Sequence, residues 1–165
     1  MSRFDLGEKM AILNIVKDGD EILRKRSKDV TVDEKLFVLL EDMKETMAKA
    51  GGVGLAAVQV GKLKNVLVID TGEDQLELIN PRFLKKSGVQ EDLEGCLSCP
   101  GQWGITRRPM KVEVETLDRS GKTVKVKAEG FLAKAICHEM DHLEGKLFYD
   151  EAVRMLSPEE MKEYE

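Results

Sequence analysis

Histidine is scarce in this chain: two of 165 residues, with tryptophan occurring once. A metal centre made of three imidazoles from one chain is therefore excluded. Cysteine is rare too. Cys96, Cys99 and Cys137 are an odd number of thiols, and the N-terminal MSRFDLGEK lacks the apolar run of a secretion signal, so no disulfide framework is expected. No stretch approaches the ~18 apolar residues of a membrane-spanning helix. Positive charge is not in excess: 26 Lys and Arg stand against 31 Asp and Glu, a net charge of −5. That balance argues against a nucleic-acid-binding surface or a basic membrane patch. The expectation is a cytoplasmic protein with neither partner.

With 42% apolar and 35% charged residues, the composition is that of a globular protein, and 165 residues suffice for one core but not two. Residues 1–9 are polar and patternless and read as a loose extension, leaving 10–165 as a single domain. Thr31-x-x-Glu34 has the form of a capping box, followed by Leu36, Leu39, Leu40, Met43 and Met47 at helical spacing and a glycine stop at Gly51-Gly52. VLVID (66–70) and LELIN (76–80) read as strands around Thr71-Gly72, and residues 110–129 alternate around Arg119-Ser120-Gly121 as a hairpin. Gly130 precedes the apolar FLAKAIC, a helix buried on most sides, and Ser157-Pro158-Glu159-Glu160 caps a short C-terminal helix. The fold class is α+β, with antiparallel strands around a central buried helix.

That helix runs into CHEMDHLEG, which holds both histidines. Residues four apart on a helix share a face, so His138 and His142 can converge on one ion with Glu139 beside it. This is the H-E-x-x-H arrangement in which the glutamate acts as base towards a metal-activated water. The longer HExxHxxGxxH pattern is matched through Gly145, but Phe148 stands where a third histidine would be. The remaining ligand is a carboxylate or a thiolate. Glu144, Glu151, Glu159 and Glu160 lie downstream in a charged tail, whereas Cys96, in the loop-like EGCLSCPG, is the better candidate. Cys96 and Cys99 form a C-x-x-C, but a zinc knuckle needs a second such pair and none exists.

GVGLAAVQ (52–59), EGCLS (94–98) and HEMDHLEG (138–145), in this order, resemble the three motifs of the peptide deformylases, and the similarity runs from about Met10 to Phe148. The resemblance implies a hydrolase that removes the formyl group from the N-terminal formylmethionine of nascent polypeptides and releases formate. Cys96, His138 and His142 would be the metal ligands, with water in the fourth position attacking the formyl carbonyl and Glu139 as general base and acid. Gln59 and the backbone N–H of Leu97 would stabilise the oxyanion. Val53, Gly54, Gly95, Phe131, Ala135 and the His138 ring would surround the substrate, whose methionine thioether suits an apolar pocket. It further implies ferrous iron, with nickel, cobalt or zinc as substitutes, and a bacterial-type cytoplasmic monomer in transient contact with the ribosome.

Ligating histidines usually donate their other N–H to an acceptor, and Glu94, Arg108 and Asp141 are candidates for an ion-paired brace. Three residues depart from the family's usual pattern. Cys137 replaces a frequent glutamine and is expected to be a buried inert thiol. Trp103 stands where some members have an arginine that holds the substrate backbone. Cys99 puts a second thiol near a ligand, where oxidation would join it to Cys96 and expel the metal. Two other functions fit the metal motif: a non-catalytic or ribosome-associated metal-binding module, against which Glu139 and Gln59 argue, and a zinc peptidase, against which the small-residue loop at Gly54 and the thiolate argue.

Overall fold

The computed structural model describes residues 11–164, and the expected extension over residues 1–9 lies outside them. In chain order the elements are helix α1 (Glu34–Ala50), strands β1 (Gly54–Ala56), β2 (Val66–Asp70), β3 (Gln75–Ser87), β4 (Gln90–Cys96), β5 (Cys99–Arg108), β6 (Lys111–Leu117) and β7 (Thr123–Glu129), helix α2 (Phe131–Leu143), strand β8 (Ala152–Met155) and the short helix α3 (Pro158–Met161). They form two sheets, β1-β2-β3-β6-β7 and β4-β5-β8, antiparallel at every pairing. None of the described helices is long and apolar enough to cross a membrane.

VLVID lacks polar alternation because β2 is covered on both faces. Leu67 and Ile69 pack with Ile136, Cys137 and Met140 of α2, whereas Val66 and Val68 pack with Leu36, Leu40, Met43 and Met47 of α1. Both methionines of that stripe are core residues. The hairpin of β6 and β7 shows the opposite pattern: Val112 and Val114 are buried, while Glu113 and Glu115 face Lys127 and Lys125 across the strands. Such a half-solvated pair alternates strictly.

Two local expectations need correction. The cap of α1 is Asp33, whose carboxylate accepts from Leu36 N; Thr31 lies outside the helix because Glu34 is its first residue. EGCLSCPG is not a loop. Cys96 ends β4, Leu97 and Ser98 make a two-residue turn, and Cys99 begins β5 as the cross-strand partner of Cys96. Cross-strand charge pairs such as Arg107–Glu91 hold this hairpin, and its glycines and proline hide the strand pattern.

Helix α2 lies against β1, β2 and β7 of the larger sheet and β5 of the smaller. It ends at Leu143, and the chain turns away two residues later at Gly145, with φ of +78°, where a Cβ would come 2.5 Å from the Arg24 carbonyl oxygen. The helix buries Lys134, His138, Glu139 and His142 along with its apolar residues. Polar groups so placed need partners.

Candidate metal centre

Helical spacing brings the two imidazoles of α2 to 5.0 Å between ring centroids. The turn after β4 delivers the thiol: Cys96 Sγ lies 3.3 Å from His142 Nε2. The ligating atoms of Cys96, His138 and His142 all fall within 4.8 Å of one another, the one such group among the described residues. A thiolate with two imidazoles suits divalent first-row metals by donor type.

The electrostatics also fit a cation. The neighbouring Cys99 thiol, burial and the Glu139 charge together push the Cys96 thiol far up, so a thiolate there needs a positive charge to hold it. Burial opposes protonation of both rings, yet the Glu139 and Glu94 carboxylates raise His138, while burial and a charged His138 hold His142 well down. The pocket disfavours protonation of both rings together, and the neutral imidazole is the form that binds a metal ion.

The expected brace is assembled from β4, β5 and α2. Glu94 Oε2 contacts His138 Nδ1 at 2.5 Å and accepts from Arg108 Nη2 at 2.7 Å, while Oε1 accepts from Arg108 Nε at 3.1 Å and Thr106 Oγ1 at 2.8 Å. Arg108 Nη1 also donates to Asp141 Oδ2 at 2.6 Å. Burial alone would raise Glu94, but the bonds from His138 and Arg108 hold its carboxyl well below the usual range. An ionised acceptor at Nδ1 leaves the Nε2 lone pair of His138 free for the metal side.

Glu139 is buried against Gly54 of β1, and burial pushes its carboxyl up to about 7. Its Oε1 has no hydrogen-bond partner among the described residues, and Oε2 stands 4.0 Å from His138 Nε2. Gln59 is oriented by Ala56 N, which donates to its Oε1 at 2.9 Å. The amide nitrogen is thereby turned to Cys96 Sγ at 3.6 Å and Ser98 Oγ at 3.1 Å. Leu97 lies in the turn between these groups. Residues 16–18 clamp the arrangement: Val16 N donates to Gln59 O and Asp18 N to Ser98 O, each at 2.7 Å.

Val53, Gly54, Gly95, Phe131, Ala135 and His138 all line one cavity of about 510 Å³, together with Gln59, Cys96, Leu97 and Glu139. Sequence reasoning missed Ser98, Thr106 and Lys134. The two hydroxyls carry no pattern of their own, and Lys134 sits inside an apolar run yet is buried, donating to Leu93 O at 2.8 Å. Cys137 is a buried thiol, pushed up to about 11 chiefly by burial. That suits an unreactive core residue.

A Cβ at Gly54 would come 2.9 Å from Glu139 Cδ and closer still to Oε2. Gly54→Ala is therefore expected to displace the carboxylate, and with Glu139 in the acid-base role that the resemblance implies, turnover would fall by about 10²-fold. Circular dichroism and metal content should stay as in the unmodified protein; full turnover would show that the carboxylate tolerates displacement.

The family model that matches this chain is polypeptide deformylase, over residues 12–157. A peptide deformylase of Acetivibrio thermocellus is 53% identical over 154 residues, covering 93% of this chain and 91% of the relative. Among solved structures, a peptide deformylase from Legionella pneumophila is 43% identical with a TM-score of 0.83, covering 93% of this chain and 90% of that one. A class I type b peptide deformylase from Acinetobacter baumannii with Met-Ala-Ser bound is 30% identical with a TM-score of 0.82, covering 87% and 99%.

Proposed function

This chain belongs to the polypeptide deformylase family, hydrolases that remove the formyl group from N-formylmethionyl peptides, and we propose that it does so with a metal ion held by Cys96, His138 and His142. The observation that carries the assignment is the convergence of these three donors within 4.8 Å beside a buried carboxylate oxygen that has no hydrogen-bond partner among the described residues. When bound, the ion supplies Lewis acidity, lowering the pKa of water and polarising the formyl oxygen. Ferrous iron is the proposed resident, with nickel, cobalt or zinc as substitutes, since the donor set accepts each of them.

The protein's own groups then have distinct tasks. Glu139 takes a proton from the attacking water as its oxygen bonds to the formyl carbon, and gives one to the methionine nitrogen as the C–N bond breaks. Formate and a free amine result. Gln59 Nε2 and the Leu97 N–H donate to the oxygen on which charge collects, and the bond from Ala56 N keeps Gln59 turned inward. His138 is kept in one tautomer by Glu94.

Strand geometry supports an extended substrate. β1 is an outer strand of the larger sheet and β4 an outer strand of the smaller, and Gly54 and Gly95 of these edges both line the cavity. A peptide added along them would pair with backbone that carries no side chain of its own at these two positions, beside the Glu139 carboxylate at Gly54 and the Trp103 ring at Gly95. Its methionine would enter the apolar surround of Val53, Phe131, Ala135 and His138. Ligands, acid-base group and oxyanion donors all come from residues 10–165 of one chain, which supports a single catalytic domain acting as a monomer. The bacterial relatives support a cytoplasmic enzyme working on nascent chains.

Incubation of iron-loaded protein with formyl-Met-Ala-Ser and with Met-Ala-Ser tests this reading. Formate is expected from the first peptide and no cleavage of the second. Release of amino acids from Met-Ala-Ser would make the protein a peptidase, and no product from either would leave it a metal-binding module.

A further inference from the structure

We propose that Trp103 selects the second residue of the substrate, favouring large apolar side chains; this rests on the deformylase reading and on an extended peptide lying along β4. Alternate residues of a strand face opposite ways. Glu94 points towards α2, where it meets His138, so position 95 faces the other side of the smaller sheet. There its cross-strand partner is Trp103.

A Cβ at Gly95 would lie 2.5 Å from Trp103 Cζ3, 2.6 Å from Cε3 and 2.9 Å from Cη2. The benzo ring of the indole therefore covers the Gly95 backbone, in space that any other residue would fill. Because β4 is the outer strand of its sheet, this carries the indole from β5 across to the open edge. Trp103 lines the cavity and remains 39% exposed, an apolar ring awaiting a partner at the rim.

The substrate obeys the same alternation. With its methionine side chain directed to the α2 side, among Ala135 and His138, the next side chain points to the side on which Trp103 lies. The third points back. A leucine or phenylalanine in second place would bury part of the indole face, whereas alanine would leave it wet.

The test compares kcat/KM for formyl-Met-Leu-Ser and formyl-Met-Ala-Ser by formate release, in iron-loaded unmodified protein, Trp103→Ala and Trp103→Phe. The leucine peptide is expected to be preferred by about fivefold, the scale of one aromatic contact. That ratio should fall close to unity in Trp103→Ala and be largely kept in Trp103→Phe. Because each ratio is taken within one protein, partial loss of fold or metal cancels. A second readout needs no turnover: Trp103 is the single tryptophan of the chain, so emission from zinc-loaded protein should shift to shorter wavelength on saturation with Met-Leu-Ser. An unchanged ratio in Trp103→Ala, or unmoved emission, overturns this inference alone. Formate from none of the peptides overturns the deformylase reading and this inference with it.

Discussion

Glu139→Gln is expected to lower kcat for formyl-Met-Ala-Ser by about 10³-fold, within the range that a positioned acid-base group contributes. The substitution keeps the shape of the side chain, so it should keep the fold and the metal. Glu139 Oε2 is 4.0 Å from His138 Nε2, and Glu139 is not one of the three clustered ligand residues. What the amide cannot do is accept and return a proton. The orphaned Oε1 is where the proposed exchange would take place: a carboxylate oxygen, buried and without a partner among the described residues, is costly unless water or substrate meets it. Metal content, measured on the same samples as turnover, separates the two effects. A loss of metal in parallel with activity would make Glu139 a ligand or a support of one, and a loss below tenfold would remove it from the proton path.

How much of this site could be read from the sequence depended on whether a residue's role is local. The i,i+4 histidines are local, because helix geometry alone puts them on one face, and the 110–129 hairpin is local, because alternation and its turn residues lie in one window. Cys96 is not. Its approach to His142 depends on a hairpin whose strand pattern is broken by Gly95, Pro100, Gly101 and Gly104, and whose register is held by charges up to sixteen residues apart. Without the ordered motifs, spacing favoured Cys96 over the downstream carboxylates but did not settle the ligand. Ser98 shows the same limit from the other side. Its hydroxyl matters because Gln59, 39 positions earlier, donates to it, and no window of sequence contains both. The indole of Trp103 owes its place to a missing side chain on the neighbouring strand, a relation visible only once the register pairs it with Gly95.

Glu94 links stability to the metal, and Glu94→Ala should damage both. In the folded protein its carboxylate is buried, serving Arg108 twice, Thr106 once and His138 once. Removing one partner of a buried ion pair leaves the other charge uncompensated, at a cost of about 3–5 kcal/mol. Asp141 softens this, since it keeps one bond to Arg108 Nη1, so the lower end of that range is the better expectation. His138 meanwhile loses the acceptor that holds its tautomer, and metal affinity should drop about 10–100-fold. The two losses can be measured apart: urea midpoints on chelated protein report the first, and competition with a chromophoric chelator the second. The pH dependence has a definite sign. Glu94 is held below its ordinary value of 4.5 when folded, so its contribution is fully present above that value and is lost as pH falls through the lower folded one. The gap in midpoint between unmodified and Glu94→Ala protein should therefore be widest near pH 7 and narrow in acid. A gap that stays constant from neutral to acid would mean that packing, not charge, is what Glu94 contributes.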